Sequence, residues 1–322
     1  MNNKPLLSIC IPTYNRGDIL KSVLCHYVEC TEFDSEVEIV ISDNASTDQT
    51  EIICRSFCEK YPNIRYFRNK QNIRDANFVK VLDYGRGDYL KLFNDWVYCT
   101  NETLAFMKRT IKDNINNKRP LFFSSTTIYT KYKNDIITTT NLDEFVKVVS
   151  TFVTYNNLFG SWNEQWNNVE NKRKYAPLQL QQQDWIYQIV AANGGCLVYD
   201  RQIMYVSEIP LGKRGGYNWF QVHLDNYYRI MAPYIENGLI TKETYDQDRH
   251  NLIEHFKSQF CNAFFYNLDE NWQFDTKDTW RLLLKYYKDD PYFYLYLVKL
   301  PFFYSYMIFK RCKLFIASLI RK

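Results

Sequence analysis

The chain has 322 residues, 46% of them apolar and 17% aromatic, with 27 Tyr, 22 Phe, 10 Gly and 9 Pro. That composition excludes a linker-rich or disordered chain and supports a large core in two domains, or one domain with a substantial extension. The formal charge of +4 is uneven: residues 291–322 carry +6 and no acid, leaving −2 for the rest. This distribution argues against nucleic acid as a partner along the whole protein and for a negatively charged surface at the tail. Nine Cys are scattered without a CxxC pair or a Cys/His metal spacing, which fits a reducing cytoplasm better than a disulfide framework. No basic segment leading into an apolar one opens the chain, and no apolar run reaches about 18 residues, so neither a signal peptide nor a spanning helix is expected.

In chain order, residues 6–12 read as a buried strand, 13–16 as a turn and 18–30 as a helix with Ile19, Val23, Leu24, Tyr27 and Val28 at helical spacing. A second strand over 37–42 ends at Asp43, and 44–48 form a polar loop. A helix carrying Ile52, Ile53, Phe57 and Cys58 follows, then a short strand over 64–67 and a helix over 75–84. The fourth strand, 88–93, starts after the turn at Gly87 and runs out into Asn94-Asp95-Trp96. Four strands alternating with three helices argue for parallel βαβ units, wound right-handed into a doubly wound α/β sheet. Further on, a helix is expected over 102–114 and a strand over 121–125. The polar segment 126–176 has no assignable period. A helix over 177–192 is ended by Gly194-Gly195, and strands follow over 196–199 and 203–206. From 217 the pattern reads as helical almost to the end, and there is no internal repeat.

Pro12, Thr13, Tyr14 and Asn15 end the first strand, and Asp43 and Asn44 end the second. In an open α/β sheet both ends border the pocket at the strand-order switch. Asp43 can accept from a base N–H or a ribose hydroxyl, and the backbone at 13–15 can line the base. The plainer alternative is a loop at 43–44, with Ser46 or Thr47 capping the next helix. Asp95 can hold a divalent cation that neutralises a diphosphate, or it can cap the next element. Lys213 and Arg214, set between glycines, either close over a diphosphate or form a solvated turn. Trp162, Trp166 and Trp185, with Tyr155 and Asn163, serve equally as an acceptor platform or as core. His223 can ligate metal or contact phosphate, but a lone His on an otherwise apolar helix reads more readily as structural. The tail mixes aromatics with Lys and Arg, as the lipid headgroup boundary favours, or it packs as a helical layer.

The ordered set Ser8-Ile9-Cys10-Ile11-Pro12-Thr13-Tyr14-Asn15-Arg16, Val40-Ile41-Ser42-Asp43-Asn44-Ala45-Ser46-Thr47-Asp48, Asn72-Ile73 and Gly87-Asp88-Tyr89-Leu90-Lys91-Leu92-Phe93-Asn94-Asp95 resembles family 2 glycosyltransferases of the GT-A fold. It resembles in particular the bacterial members that build O-antigen and capsule repeat units. The resemblance implies an inverting transfer from a nucleotide-sugar donor to a glycan or polyprenyl-diphosphate-linked acceptor. It implies donor contacts from Pro12, Thr13, Tyr14, Asn15, Asp43, Asn44, Asn94, Lys213 and Arg214. It also implies Mg²⁺ or Mn²⁺ at Asp95, although Asn94 stands where the family often has an acid. Asp184, in Gln181-Gln182-Gln183-Asp184-Trp185, matches the family's catalytic base; the alternative is an acid favoured by the helix dipole. Asp200 and Glu208 are rivals for that role. The missing acid at 94 also admits a non-catalytic scaffold that binds a nucleotide or glycan. The expected division is a nucleotide-sugar-binding catalytic domain over 1–215 and a helical region over 216–322, with its basic aromatic tail at about 291–322. The expected location is the cytoplasm, peripheral on the inner face of the cell membrane at an anionic membrane surface.

Overall fold

The computed structural model describes residues 4–124, 136–149, 155–209, 214–265, 267 and 269–320, with 155, 156, 214 and 314–320 described as backbone only. The chain divides into two units, Met1–Leu211 with Arg229–Thr241, and Gly212–Tyr228 with Lys242–Lys322.

The first unit is built on β1 (Leu7–Thr13), α1 (Gly17–Val28), β2 (Val37–Asp43), α2 (Thr50–Lys60), β3 (Ile64–Arg68), α3 (Ala76–Asp83) and β4 (Tyr89–Leu92). These are the elements that apolar periodicity predicts, displaced by one or two residues at their ends. The strands stand in the order β3-β2-β1-β4, all parallel, and a later strand, β8 (Gly160–Trp162), adds antiparallel to β4. The expected mostly parallel α/β sheet is present. Its two faces can be told apart by residue parity. Leu7, Ile9, Ile11, Ile39 and Ile41 pack in one core with Leu20, Val23 and Leu24 of α1 and Cys54 of α2. The opposite face turns Ser42 toward α3, where its hydroxyl donates to Asn77 Oδ1 at 2.7 Å. Helices therefore cover both faces, and nearly every residue of β1 and β2 is buried.

The turn before β4 depends on a missing side chain. A Cβ on Gly87 would lie 2.6 Å from the Ser8 backbone nitrogen, and the Gly87 N–H donates to Ser8 Oγ at 2.7 Å. After β4 come β5 (Val97–Tyr98), α4 (Asn101–Asn114), β6 (Leu121–Phe123), β7 (Ile136–Thr138), α5 (Leu142–Val149), α6 (Tyr155–Leu158) and α7 (Asn163–Asn168). Then follow α8 (Gln181–Ala192), β9 (Leu197–Tyr199) and β10 (Tyr205–Val206). Helix α8 starts later than its apolar pattern suggests. Pro177 sits in a 3₁₀ turn at Ala176–Leu178, and Gln179 takes a left-handed φ of 64° before the helix begins. Strands β6, β9 and β7 form a separate small sheet. Trp162, Trp166 and Trp185 are all core: Trp162 meets Tyr89 edge-on at 5.4 Å, and Trp166 meets Trp185 at 4.9 Å. The helix α9 (Tyr227–Glu236) leads into the segment that closes this unit.

The second unit contains β11 (Arg214–Asn218), a π-helical turn at Gln221–Asn226, α10 (Lys242–His255), α11 (Lys257–Phe264), β12 (Trp272–Asp275), α12 (Thr279–Tyr287) and α13 (Pro291–Ile320). The expectation of helix throughout this region is corrected by the parallel pair β11 and β12. Gly215 allows it, since a Cβ there would sit 2.4 Å from the Gln273 carbonyl oxygen. Trp272 and Phe274 alternate with Gln273 and Asp275 at strand period, a signal too short to stand out against the helices around it. His223 is half-buried beside Trp219, with ring centroids 4.6 Å apart, and desolvation of the ring pushes its pKa down to about 4. It packs among the aromatic side chains of Tyr217, Trp219 and Phe256.

Candidate functional site

The strand order places β1 between β2 and β4, so the winding reverses at β1, and the carboxyl ends of these strands are where an open α/β sheet takes its ligand. Thr13 and Asp43 are register partners at the ends of β1 and β2. Across the reversal, Thr13 Oγ1 donates to Asp95 Oδ2 at 2.8 Å. Three residues from distant segments thus converge at the switch point.

Asp95 is 9% exposed, and burial raises its carboxyl pKa to about 6 against the lowering effects of Thr13 and the Arg16 charge. It does not cap α4. Thr100 does, in a reciprocal capping box with Thr103. Asn94 donates its amide to Asn157 Oδ1 at 2.8 Å, and its own oxygen has no hydrogen-bond partner among the described residues. The atoms these two residues would offer a cation are therefore one carboxylate oxygen not taken by Thr13 and one amide oxygen. No group of three acidic, His or Cys side chains of metal-site geometry occurs among the described residues. Such a set fits Mg²⁺ or Mn²⁺ held mainly by a diphosphate and water, and does not fit an all-protein cage.

Asp43 is fully buried. Its Oδ1 accepts from the Ser46 N–H at 2.9 Å and the Ser46 hydroxyl at 2.5 Å. Its Oδ2 accepts from Tyr66 at 2.5 Å, with Arg68 Nε 3.7 Å away. Burial and then this hydrogen bond push the Tyr66 hydroxyl well above its ordinary pKa. Three of its four lone-pair sites are taken, so a base N–H takes the one left or displaces Tyr66. Ser46 belongs to this cluster, and neither it nor Thr47 caps α2. The residue that serves the α2 start is Asp48, which accepts from the Thr50 N–H at 3.0 Å.

Asn15 adopts a φ of 52° and accepts the Thr47 N–H at 2.7 Å, which locks the loop after β1 to the loop after β2. Asn44 donates to Asn72 Oδ1 at 2.9 Å and accepts from the Ile73 N–H at 2.8 Å, so it holds the 69–74 loop beside the strand ends. Pro12 is half-buried, whereas Tyr14 is 45% exposed. Lys91, completely buried on β4, donates to the carbonyls of Asn157 and, at 3.1 Å, Phe159. Burial lowers its pKa to about 7. It fixes the segment that carries the partner of Asn94.

Asp184 lies in the first turn of α8, 4% exposed. Tyr234 donates to its Oδ1 at 2.7 Å and Gln188 to its Oδ2 at 2.8 Å. Burial raises its pKa, with those two donors and the Lys174 charge opposing. It faces a cavity of about 280 Å³ that Lys174, Tyr175 and Tyr234 also line. The Thr13–Asp43–Asp95 cluster does not line that cavity. The link between the two is one helical turn: Gln181, three residues before Asp184, donates to the Asp75 carbonyl at 2.6 Å, just beyond the loop held by Asn44. Asp75 itself has its carboxyl pushed to about 6 by burial, against the Arg74 charge. Among the rivals, Asp200 is buried on Ser124, and Glu208 is exposed. Lys213 lies outside the described residues. Arg214 opens strand β11 of the second unit, and so is not part of a loop.

Sequence reasoning missed Tyr66, Tyr234, Asn157 and Asp75. Their only local signal is a polar atom within or beside an apolar element. Each partner lies far along the chain, as the separations of 23 residues for Tyr66–Asp43 and 50 for Tyr234–Asp184 illustrate.

Residues 8–204 match the family model described as glycosyl transferase family 2. The abequosyltransferase RfbV of Salmonella typhimurium is 38% identical over 102 residues, which cover 31% of this chain and 29% of that protein. The chain thus aligns with under a third of the length of this curated relative. Among solved structures, Staphylococcus aureus TarS 1–349 in complex with UDP-GlcNAc superposes with a TM-score of 0.53 at 16% identity, covering 83% of this chain and 78% of that one. The mannosyltransferase PcManGT of Pyrobaculum calidifontis, in complex with GDP-Man and Mn²⁺, gives 0.53 at 15% identity, covering 93% and 86%. At these identities the superpositions establish the shared GT-A fold.

Proposed function

Because the chain belongs to glycosyl transferase family 2, we propose that it moves a sugar from a nucleotide-sugar donor to a hydroxyl of a glycan acceptor, with inversion. The observation that carries this reading is the Thr13–Asp95 hydrogen bond, which ties the ends of β1 and β4 together at the strand-order reversal beside Asp43. Residues 12–15, Asp43 and Asn44 hold the nucleoside. Asp95 and the Asn94 oxygen face the diphosphate. A Mg²⁺ or Mn²⁺ bound there supplies positive charge to the diphosphate as it leaves.

Asp184 acts as the base. As the acceptor oxygen bonds to the anomeric carbon, its proton passes to the Asp184 carboxylate. The bond from the anomeric carbon to the phosphate oxygen breaks, and the nucleoside diphosphate leaves with that electron pair. One carboxylate suffices for a single displacement. Burial supports this role, since a raised pKa makes Asp184 a stronger base than an exposed Asp. Tyr234 and Gln188 orient it.

The acceptor in this reading is carried on a polyprenyl diphosphate, in surface polysaccharide synthesis of the O-antigen or capsule kind. The enzyme works peripherally at the cytoplasmic face of the membrane. Support comes from α13, where Leu295, Val298, Phe302, Tyr306 and Phe309 recur at three- and four-residue spacing and are all exposed. Lys299, Lys310, Arg311 and Lys313 interleave with them. This pattern matches an anionic headgroup layer. No helix among the described residues is long and apolar enough to cross a membrane.

The test is a thermal-shift screen against UDP, GDP, CDP and dTDP with and without Mn²⁺, repeated on Asp43→Ala and Asp95→Ala. One diphosphate should stabilise the wild type in a metal-dependent way and neither variant. Stabilisation unchanged in both variants would overturn the assignment of the pocket. Asn94, standing where an acid is common, favours a scaffold as the second reading. Donor hydrolysis without acceptor that is lost in Asp184→Asn would eliminate it.

A further inference from the structure

The second unit encloses a cavity of about 670 Å³, within the range of pockets that bury small ligands. One wall is aromatic: Trp219, Trp272 and Phe274 line it, the last two with ring centroids 5.4 Å apart. The wall from α11 is amide-rich. There Asn262 Oδ1 is buried without a hydrogen-bond partner, while the neighbouring Gln259 oxygen accepts from Ser258 at 2.9 Å. The remaining wall is one stripe of α13, in which Phe303, Met307, Lys310 and Arg311 recur at helical spacing. Lys310 has no ion-pair partner among the described residues. The carboxylate of Asp269, also on the lining, accepts the Asn271 N–H at 3.0 Å and so is engaged in its own turn.

These groups ask for complementary chemistry. A buried amide oxygen left unpaired costs stability until a donor reaches it. Indole and phenyl faces accept an apolar ring face. Two adjacent cations at the open helix favour an anion that can take several hydrogen bonds. A ligand that meets all three has a ring with C–H faces, hydroxyl donors and a phosphate. A lipid tail alone leaves Asn262 unpaired, and a bare phosphate leaves the aromatic wall empty.

We propose that this cavity is a binding site for a glycosyl phosphate: the sugar ring lies on Trp272, a hydroxyl donates to Asn262 Oδ1, and the phosphate pairs with Lys310 and Arg311. The site is built wholly within the second unit and stands independently of the donor pocket described above. Its ligand chemistry has two sources, a free sugar phosphate or the sugar-diphosphate end of a lipid carrier.

The experiment follows tryptophan fluorescence of the full chain during titration with N-acetylglucosamine 1-phosphate, glucose 1-phosphate, glucose alone and inorganic phosphate. A glycosyl phosphate should give a saturable change, with glucose and phosphate at least tenfold weaker. Lys310→Glu and Asn262→Ala should each weaken binding about tenfold. Asn262→Ala should not lower the melting temperature of the ligand-free protein, because the oxygen it removes is unpaired. Asp95→Ala, in the other unit, should bind as wild type does. Affinity that is lost in Asp95→Ala but kept in Lys310→Glu would place the ligand in the donor pocket and overturn the proposal, as would the absence of any saturable change. A final arm uses N-acetylglucosaminyl diphosphate on a short polyprenol. Tighter binding in that arm supports the proposal with the lipid-carrier end as ligand, and equal binding supports it with a free sugar phosphate.

Discussion

Replacing Asp95 by Asn should stabilise the ligand-free protein while abolishing its metal-dependent response to nucleotide. Burial lifts the Asp95 carboxyl to about 6, whereas in an unfolded chain an Asp titrates near 3.9. The folded state therefore holds this proton more tightly than the unfolded state does. Its stabilising effect is complete below about pH 4 and is lost as the pH climbs through about 6. A difference of about 2 pKa units corresponds to ~3 kcal/mol at pH 8. Asn carries no charge, and its amide oxygen still accepts from Thr13. The variant's advantage over the wild type should therefore be near zero at pH 4 and grow to at most about 3 kcal/mol by pH 7–8. That is a rise of several degrees in melting temperature for a domain of this size. The assay is thermal unfolding of both proteins from pH 4 to 8, with and without Mn²⁺ and the stabilising nucleoside diphosphate. Cation and ligand should raise the wild type at pH 8, less so below pH 6, and leave the variant unmoved. A variant no more stable than the wild type at pH 8, or a difference that does not shrink toward pH 4, would refute the argument that burial holds the Asp95 carboxyl above its unfolded pKa.

Other outcomes follow from the same geometry. Asp184→Asn should cut kcat by about 10²–10⁴-fold with little change in donor affinity, read by product formation. Tyr234→Phe removes a hydrogen bond that lowers the Asp184 pKa, so the acidic limb of its pH–rate profile should move to higher pH; an unmoved limb would detach Tyr234 from the base. Tyr66→Phe should cost the fold about 1 kcal/mol in denaturant unfolding and retain the nucleotide shift, because Ser46 still holds Asp43. Asp43→Ala should lose the shift entirely. Flotation with anionic vesicles should capture the full chain at low salt and release it at high salt, and Phe302→Ser with Phe309→Ser should prevent capture. Capture indifferent to salt and to these residues would remove the membrane reading of α13.

The sequence by itself determined the alternation of strand and helix through β4 and the acids at the ends of β2 and β4. Both are local properties. A buried parallel strand declares itself as an apolar run, and the polar residue that ends the run marks the carboxyl edge where an α/β sheet takes its ligand. Thr13, Asp43 and Asp95 were legible for that reason, although 82 residues separate Thr13 from Asp95. Local pattern failed where two uses share one signature. An apolar run with a lysine in it does not disclose that Lys91 is wholly buried on two carbonyls. Clustered tryptophans look alike as sugar platform and as core. Trp272-Gln273-Phe274-Asp275 is too brief to announce a strand. Tertiary structure decided these cases, and it chose Tyr66 for Asp43 and Tyr234 for Asp184. The physical reason is that periodicity is written in residues a few positions apart, whereas the partner of a buried polar group is whichever donor the packing brings within about 3 Å, and nothing near that group in the chain encodes it.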